Sequence, residues 1–184
     1  VAVSKPVHNK FTIIFLSRIH PKKGIELLME AIAGMEQKPL LRVAGTGEDA
    51  YIQKLKEKAE TAGIAEQVEW LGWLDREEKF RVLLPTALFA LTSSPENFGN
   101  AVPEALYAGT PVLISDAIGV ADFVIQHKLG WICKPEVADI QVKLQEAILD
   151  VKARNRISRC APLLVNSYLS EEKLVPEYLR HYQS

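Results

Sequence analysis

The chain has 184 residues, a length that suits one domain. Its residues are 48% apolar and its formal charge is −1, which allows a sizeable core and gives no global pull toward nucleic acid or an anionic membrane. No apolar run approaches the roughly 18 residues of a membrane-spanning helix, and the opening VAVSKPVHNK has no apolar signal-peptide core.

The apolar run FTIIFLS (11–17) predicts a first strand. Ile25, Leu28, Met29 and Ile32 recur at helical spacing and predict a helix over 24–35. PLLRVAG (39–45) predicts a second strand and 48–62 a charged amphipathic helix. QVEWLG (67–72) and ALFALTS (87–93) predict the third and fourth strands, with a helix from about Arg76 to Leu84 between them. A helix over about Ala101 to Ala108, the strand PVLIS (111–115), a helix near 120–127 and the strand GWICK (130–134) follow. After Glu136 the pattern turns to two or three helices alone, at about 136–150, 154–167 and 170–182. Short apolar strands alternating with helices predict an α/β fold. It is a Rossmann-like parallel sheet of about six strands with helices on both faces. One domain is expected over 1–184, with a helical tail over about 153–184. Cys133 and Cys160 fit neither a zinc pattern nor a disulfide framework and read as reduced thiols of a cytoplasmic protein. The chain begins almost directly at a strand, without methionine, which suggests a piece of a longer protein.

In an open parallel sheet, ligands bind outside the carboxyl ends of the strands. Three of the six loops there are chemically unusual. SRIHPKKG (17–24) sets Arg18, Lys22 and Lys23 before a helix start, where free N–H groups and the dipole favour an anion such as phosphate. Gly24 would let the backbone come close. A solvated basic turn is the alternative. AGTGED (44–49) places Gly45, Gly47 and Ala50 at the spacing of a dinucleotide fingerprint. Glu48 and Asp49 would repel a pyrophosphate, and the third strand ends in Leu71 and Gly72 where an acid is needed. A glycine turn against some other ligand stays open; a P-loop does not, since G-K-[S/T] is missing.

The third stretch, SSPENFGNAVPEALYAGTPV (93–112), carries two carboxylates. Pro95, Asn97 and Gly99 are turn residues. Asn97, Phe98, Gly99 and Asn100 could present successive N–H groups at a helix start. Glu96 lies outside that helix and Glu104 about one turn inside it. A carboxylate accepts hydrogen bonds from two adjacent hydroxyls, which suits a ribose or another sugar. A capping acid and an exposed helix residue are the alternative reading of the pair.

Together these residues resemble the C-terminal, donor-binding domain of retaining family 4 glycosyltransferases, which have the GT-B fold. SRIHPKKG is similar to that family's G-R-x-x-x-x-K-G, VAGTGED to its strand followed by a G-x-G turn, and PENFGNAVPEALYAGTPV to its E-x-F-G-x-x-x-x-E-A-x-A-x-G-x-P-V. The resemblance runs from about Phe11 to Ser184. It implies that Arg18 and Lys23 bind the diphosphate of a nucleotide-sugar donor. It implies that Glu96 touches the donor sugar, that the backbone of Asn97, Phe98 and Gly99 holds sugar and phosphate, and that Glu104 holds the ribose hydroxyls. Gly24, Gly45, Gly47, Leu71 and Asn100 belong to the same donor site, with the base near Leu71 to Trp73. No metal or other cofactor is expected, since the chain has no D-x-D. Arg18, Lys23 and Glu96 are the residues implied for the chemistry, Glu96 as a positioning and electrostatic group. The family also has an N-terminal acceptor domain, expected as this chain's partner, and any membrane association would come through it. No nucleic acid is expected. Base, sugar and acceptor stay open, the acceptor being lipid-linked, polysaccharide or small molecule.

Ser17 stands where the family has glycine, Tyr107 where it has a small or apolar residue, and Pro103 just precedes Glu104. His20 reads as an ordinary loop histidine and Trp70 as core. Trp73 is a candidate wall for the base. His127, His181 and the charge run KLKEKAE (54–60) read as solvated surface. Three other functions fit less well: a sugar-nucleotide epimerase of GT-B architecture, a non-catalytic nucleotide-binding module, and an NAD-binding domain suggested only by GTGEDA.

Overall fold

A computed structural model describes residues 10–95 and 99–170, the last two by their backbone only. Among the described residues six strands form: β1 (Thr12–Leu16), β2 (Leu40–Ala44), β3 (Val68–Gly72), β4 (Leu88–Leu91), β5 (Val112–Ser115) and β6 (Gly130–Cys133). The helices between and after them are α1 (Ile25–Ala33), α2 (Asp49–Thr61), α3 (Arg76–Leu83), α4 (Ala101–Tyr107), α5 (Ala121–His127), α6 (Val137–Leu149) and α7 (Val151–Ser170). All strand pairings are parallel, and the order is β3-β2-β1-β4-β5-β6. This is the Rossmann-like α/β sheet that the alternating pattern predicts.

The central strands are buried on both faces because each is apolar along its whole length. Ile13, Ile14, Phe15, Phe89, Leu113 and Ile114 are fully buried. Crossovers between parallel strands are right-handed. The β1–β2–β3 connections step one way along the sheet and the β4–β5–β6 connections the other, so their helices cover opposite faces. The last two helices complete both layers, α6 packing on α1 and α7 on α4.

The tail differs from expectation. In place of a break between residues 167 and 170, one helix runs from Val151 to Ser170 through Pro162. Proline leaves the carbonyl four residues earlier without its helical donor. That carbonyl, of Ser158, faces Gly109 beyond the end of α4, where a β-carbon would lie 2.8 Å away. Ile157, Ala161 and Val165 bury one stripe of the helix, and that packing keeps it helical past the proline. The helix expected at 170–182, with His181, falls on residues beyond those described.

The charge run 54–60 is not simply solvated surface. Leu55 and Ala59 are buried, and Lys58 on α2 bonds Glu26 on α1 at 2.9 Å. That hydrogen bond holds the Glu26 carboxyl below its usual range. Among the described residues no helix is long and apolar enough to cross a membrane.

Candidate functional site

The strand order reverses between β1 and β4, and the crevice at such a switch point is where open α/β sheets bind ligands. The two segments that flank it are the basic loop after β1 and the loop after β4 that leads into α4. Hydrogen bonds join them. The Thr92 hydroxyl donates to the Gly24 carbonyl at 2.8 Å, and the Ser94 N–H donates to the Lys22 carbonyl at 2.9 Å. Gly24 is required at this junction. Its φ is +71°, and a β-carbon there would lie 2.0 Å from the Thr92 carbonyl oxygen. Pro21–Lys23 forms a 3-10 turn, and His20 Nδ1 accepts the Lys22 N–H at 3.2 Å. His20 therefore caps the turn.

The loop after β2 is stitched to the same basic loop from the other side. Ser17 N–H donates to the Ala44 carbonyl at 3.1 Å and Ile19 N–H to the Thr46 carbonyl at 2.8 Å. A β-carbon on Gly45 would meet the Ser17 carbonyl oxygen at 1.9 Å, and one on Gly47 the Ile19 carbonyl oxygen at 2.1 Å. The side on which each glycine would carry a β-carbon is thus filled by the chain's own backbone. Both glycines serve loop packing, and the loop follows β2, one strand away from the switch point.

A cleft of about 370 Å³ opens over these strand ends. Leu16, Ser17, Arg18, Ala44, Gly45 and Thr46 line it together with Trp73, Leu74, Lys79, Asn100, Ala101 and Glu104. Of the residues singled out in the sequence, Arg18, Gly45, Asn100, Glu104 and Trp73 thus meet in one place. Trp73 is 68% exposed, a broad aromatic face on the rim. Leu71 is half-buried and packs on the core, so its neighbours Trp73 and Leu74 form the wall instead. Lys23 and Gly24 stand in the Arg18 loop outside that wall, and Gly99 (φ +67°) is buried against Ile118. Glu96, Asn97 and Phe98 fall outside the described residues. Trp70 is only half-buried, with the Lys56 ammonium 5.9 Å from its ring centroid.

Lys79 escaped the sequence reading. Its ammonium lies 3.3 Å from Glu104 Oε2. The signal was present: Lys79 stands one turn into the helix after β3, just as Glu104 stands one turn into the helix after β4. The cleft therefore offers two cations, Arg18 and Lys79, and one carboxylate beside an aromatic face. That set suits an anionic ligand that also carries hydroxyls and a flat ring. Among the described residues no three His, Cys, Asp or Glu side chains gather as a metal-binding group would need.

The chain is 32% identical over 147 residues to a phosphatidylinositol N-acetylglucosaminyltransferase subunit of Homo sapiens, matching 79% of this chain and 30% of that protein. The solved structure of Anabaena Alr3699/HepE in complex with UDP-glucose superposes with a TM-score of 0.82 at 25% identity, over 94% of this chain and 49% of that one. The C-terminal domain of a glycosyl transferase group 1 family protein (LpcC) from Francisella tularensis shares the fold, with a TM-score of 0.77 at 22% identity. There the match covers 88% of this chain and 87% of that one. The chain thus spans less than half the length of the human and Anabaena proteins. The family described as "Glycosyl transferases group 1" matches residues 2–163, a span that contains all six strands and every residue of the cleft, and the chain belongs to that family.

Proposed function

We propose that this chain is the donor-binding half of a retaining, metal-independent glycosyltransferase that uses a nucleoside-diphosphate sugar. The observation that carries the reading is one cleft at the switch point that presents the Arg18 guanidinium and the Glu104 carboxylate together. The family membership and the UDP-glucose held by the Anabaena relative support it. An N-terminal acceptor domain would complete the enzyme.

Sugar transfer leaves a nucleoside diphosphate, so negative charge builds on the leaving oxygen, and cations fixed beside it lower the barrier. Arg18 and Lys23 serve that charge; the chain has no D-x-D to hold a metal for the task. Glu104 accepts hydrogen bonds from the adjacent ribose hydroxyls. Glu96 contacts the sugar and favours its oxocarbenium-like transition state as an electrostatic and positioning group. The backbone of Asn97, Phe98 and Gly99 holds sugar and phosphate. Incoming acceptor and leaving phosphate share one face of the sugar, which retains its configuration.

Calorimetric titration with UDP, GDP, ADP and NADH, at low salt with EDTA, tests the reading. One diphosphate is expected to bind despite EDTA. The double substitution Arg18→Ala/Lys23→Ala removes two charge-assisted contacts and is expected to weaken it by about a hundredfold or more. Binding restored only by added Mg²⁺ would overturn metal independence, and NADH binding tighter than any diphosphate would overturn the donor assignment.

A further inference from the structure

We propose that Lys79 is a positioning residue that makes the cleft selective for ribonucleotides, by holding the Glu104 carboxylate where it meets two ribose hydroxyls; this rests on the donor-cleft reading. Lys79 and Glu104 are each the fourth residue of their helix, α3 and α4. Both helices begin at the ligand edge of the sheet, so both side chains rise from a first turn toward the same cleft. The entry of α3 is held in place. Asp75 Oδ1 accepts the Glu78 N–H at 2.8 Å, and Glu78 Oε2 accepts the Asp75 N–H at 2.9 Å, a reciprocal cap that fixes the first turn. Beside the ion pair, Phe80 of α3 and Tyr107 of α4 meet edge to face with ring centroids 6.1 Å apart.

The side chains of Lys79 and Glu104 are 34% and 40% exposed, with Nζ and Oε2 at 3.3 Å. A glutamate carboxylate turns about three soft torsions, and a partner on a second helix limits that freedom. A carboxylate has about four acceptor sites; Lys79 takes one, and the rest remain for hydroxyls. The charge of Lys79 is met at close range by Glu104, so its main effect on a nucleotide passes through that carboxylate. A diol is gripped by a carboxylate at fixed position and orientation. A carboxylate free to swing accepts one hydroxyl nearly as well as two.

The test is to find the tightest binder among UDP, GDP and ADP, then to compare it calorimetrically with its 2′-deoxy counterpart. Wild type is expected to prefer the ribonucleotide by about tenfold or more. Lys79→Met is expected to shrink that preference to about threefold or less, with Lys79→Arg restoring it. In the Glu104→Ala background, Lys79→Met should change the preference no further, since Lys79 acts through Glu104. Circular dichroism confirms that each variant is folded. If Lys79→Met weakens both nucleotides equally, Lys79 binds phosphate and the proposal falls, while the donor reading stands. If wild type binds none of the three nucleotides, the donor reading falls and this inference with it.

Discussion

Cys133 ends β6 in a buried position, its thiol 3.5 Å from the Ile114 carbonyl oxygen. Burial pushes that thiol up to about 12, with Asp139 and Asp116 adding repulsion against the thiolate. Thiolate is the reactive form, and it gains as pH rises toward that value. At pH 8, maleimide is expected to label Cys160, which is half-buried, while Cys160→Ser chain labels at least about a hundredfold more slowly. Mass spectrometry of the intact chain reads both rates; prompt labelling of Cys133 in folded Cys160→Ser chain would contradict the assignment. At the same scale, Arg18 and Glu104 were singled out because they sit in motifs that follow β1 and β4, and the structure places both on one cleft. Gly45 and Gly47 were legible only as glycines. Whether a missing side chain makes room for ligand or for backbone depends on what stands opposite, and here Ser17 and Ile19 stand there. Lys79 was missed because a lysine on a charged helix reads as solvated surface until its partner is known.

Elements meet at the switch point through backbone contacts that no side-chain pattern announces. Gly24 joins the loop after β1 to the loop after β4. It combines a left-handed φ of +71° with a 2.0 Å approach to the Thr92 carbonyl. Gly24→Ala is expected to cost about 3 kcal/mol or more, since left-handed strain and a clash with fixed backbone add. Urea unfolding of the two chains measures this, and a loss below about 1 kcal/mol would show that the two loops can part. α7 teaches a related lesson. The helix passes through Pro162, as the helix expected over 154–167 requires, because the buried stripe of Ile157, Ala161 and Val165 outweighs one lost hydrogen bond.

At the scale of the whole molecule, the cleft is lined by loops at the strand ends and by the first turns of α3 and α4, and an acceptor for a bound donor would need further surface. Under the proposed reading, this chain mixed with donor and acceptor is expected to bind the donor's nucleotide and yield no product. Chromatography or NMR of the mixture would show it. A transferred sugar would mean that the chain catalyses by itself. A sugar epimer formed without acceptor would mean that the reaction is an isomerisation.

The sequence by itself determined the alternation of strands and helices, the parallel sheet, and three unusual loops at one end of it. These follow from periodicity and from the chemistry of charged and turn residues, which act over a few positions of chain. It also carried the family, since three motifs in order are local strings. Only the tertiary structure decided that β1 and β4 lie side by side, which loops therefore flank the crevice, and that Lys79 faces Glu104 across 25 residues of chain. Strand order and side-chain partners depend on packing between distant segments. No local preference encodes which of several equally apolar strands will be neighbours.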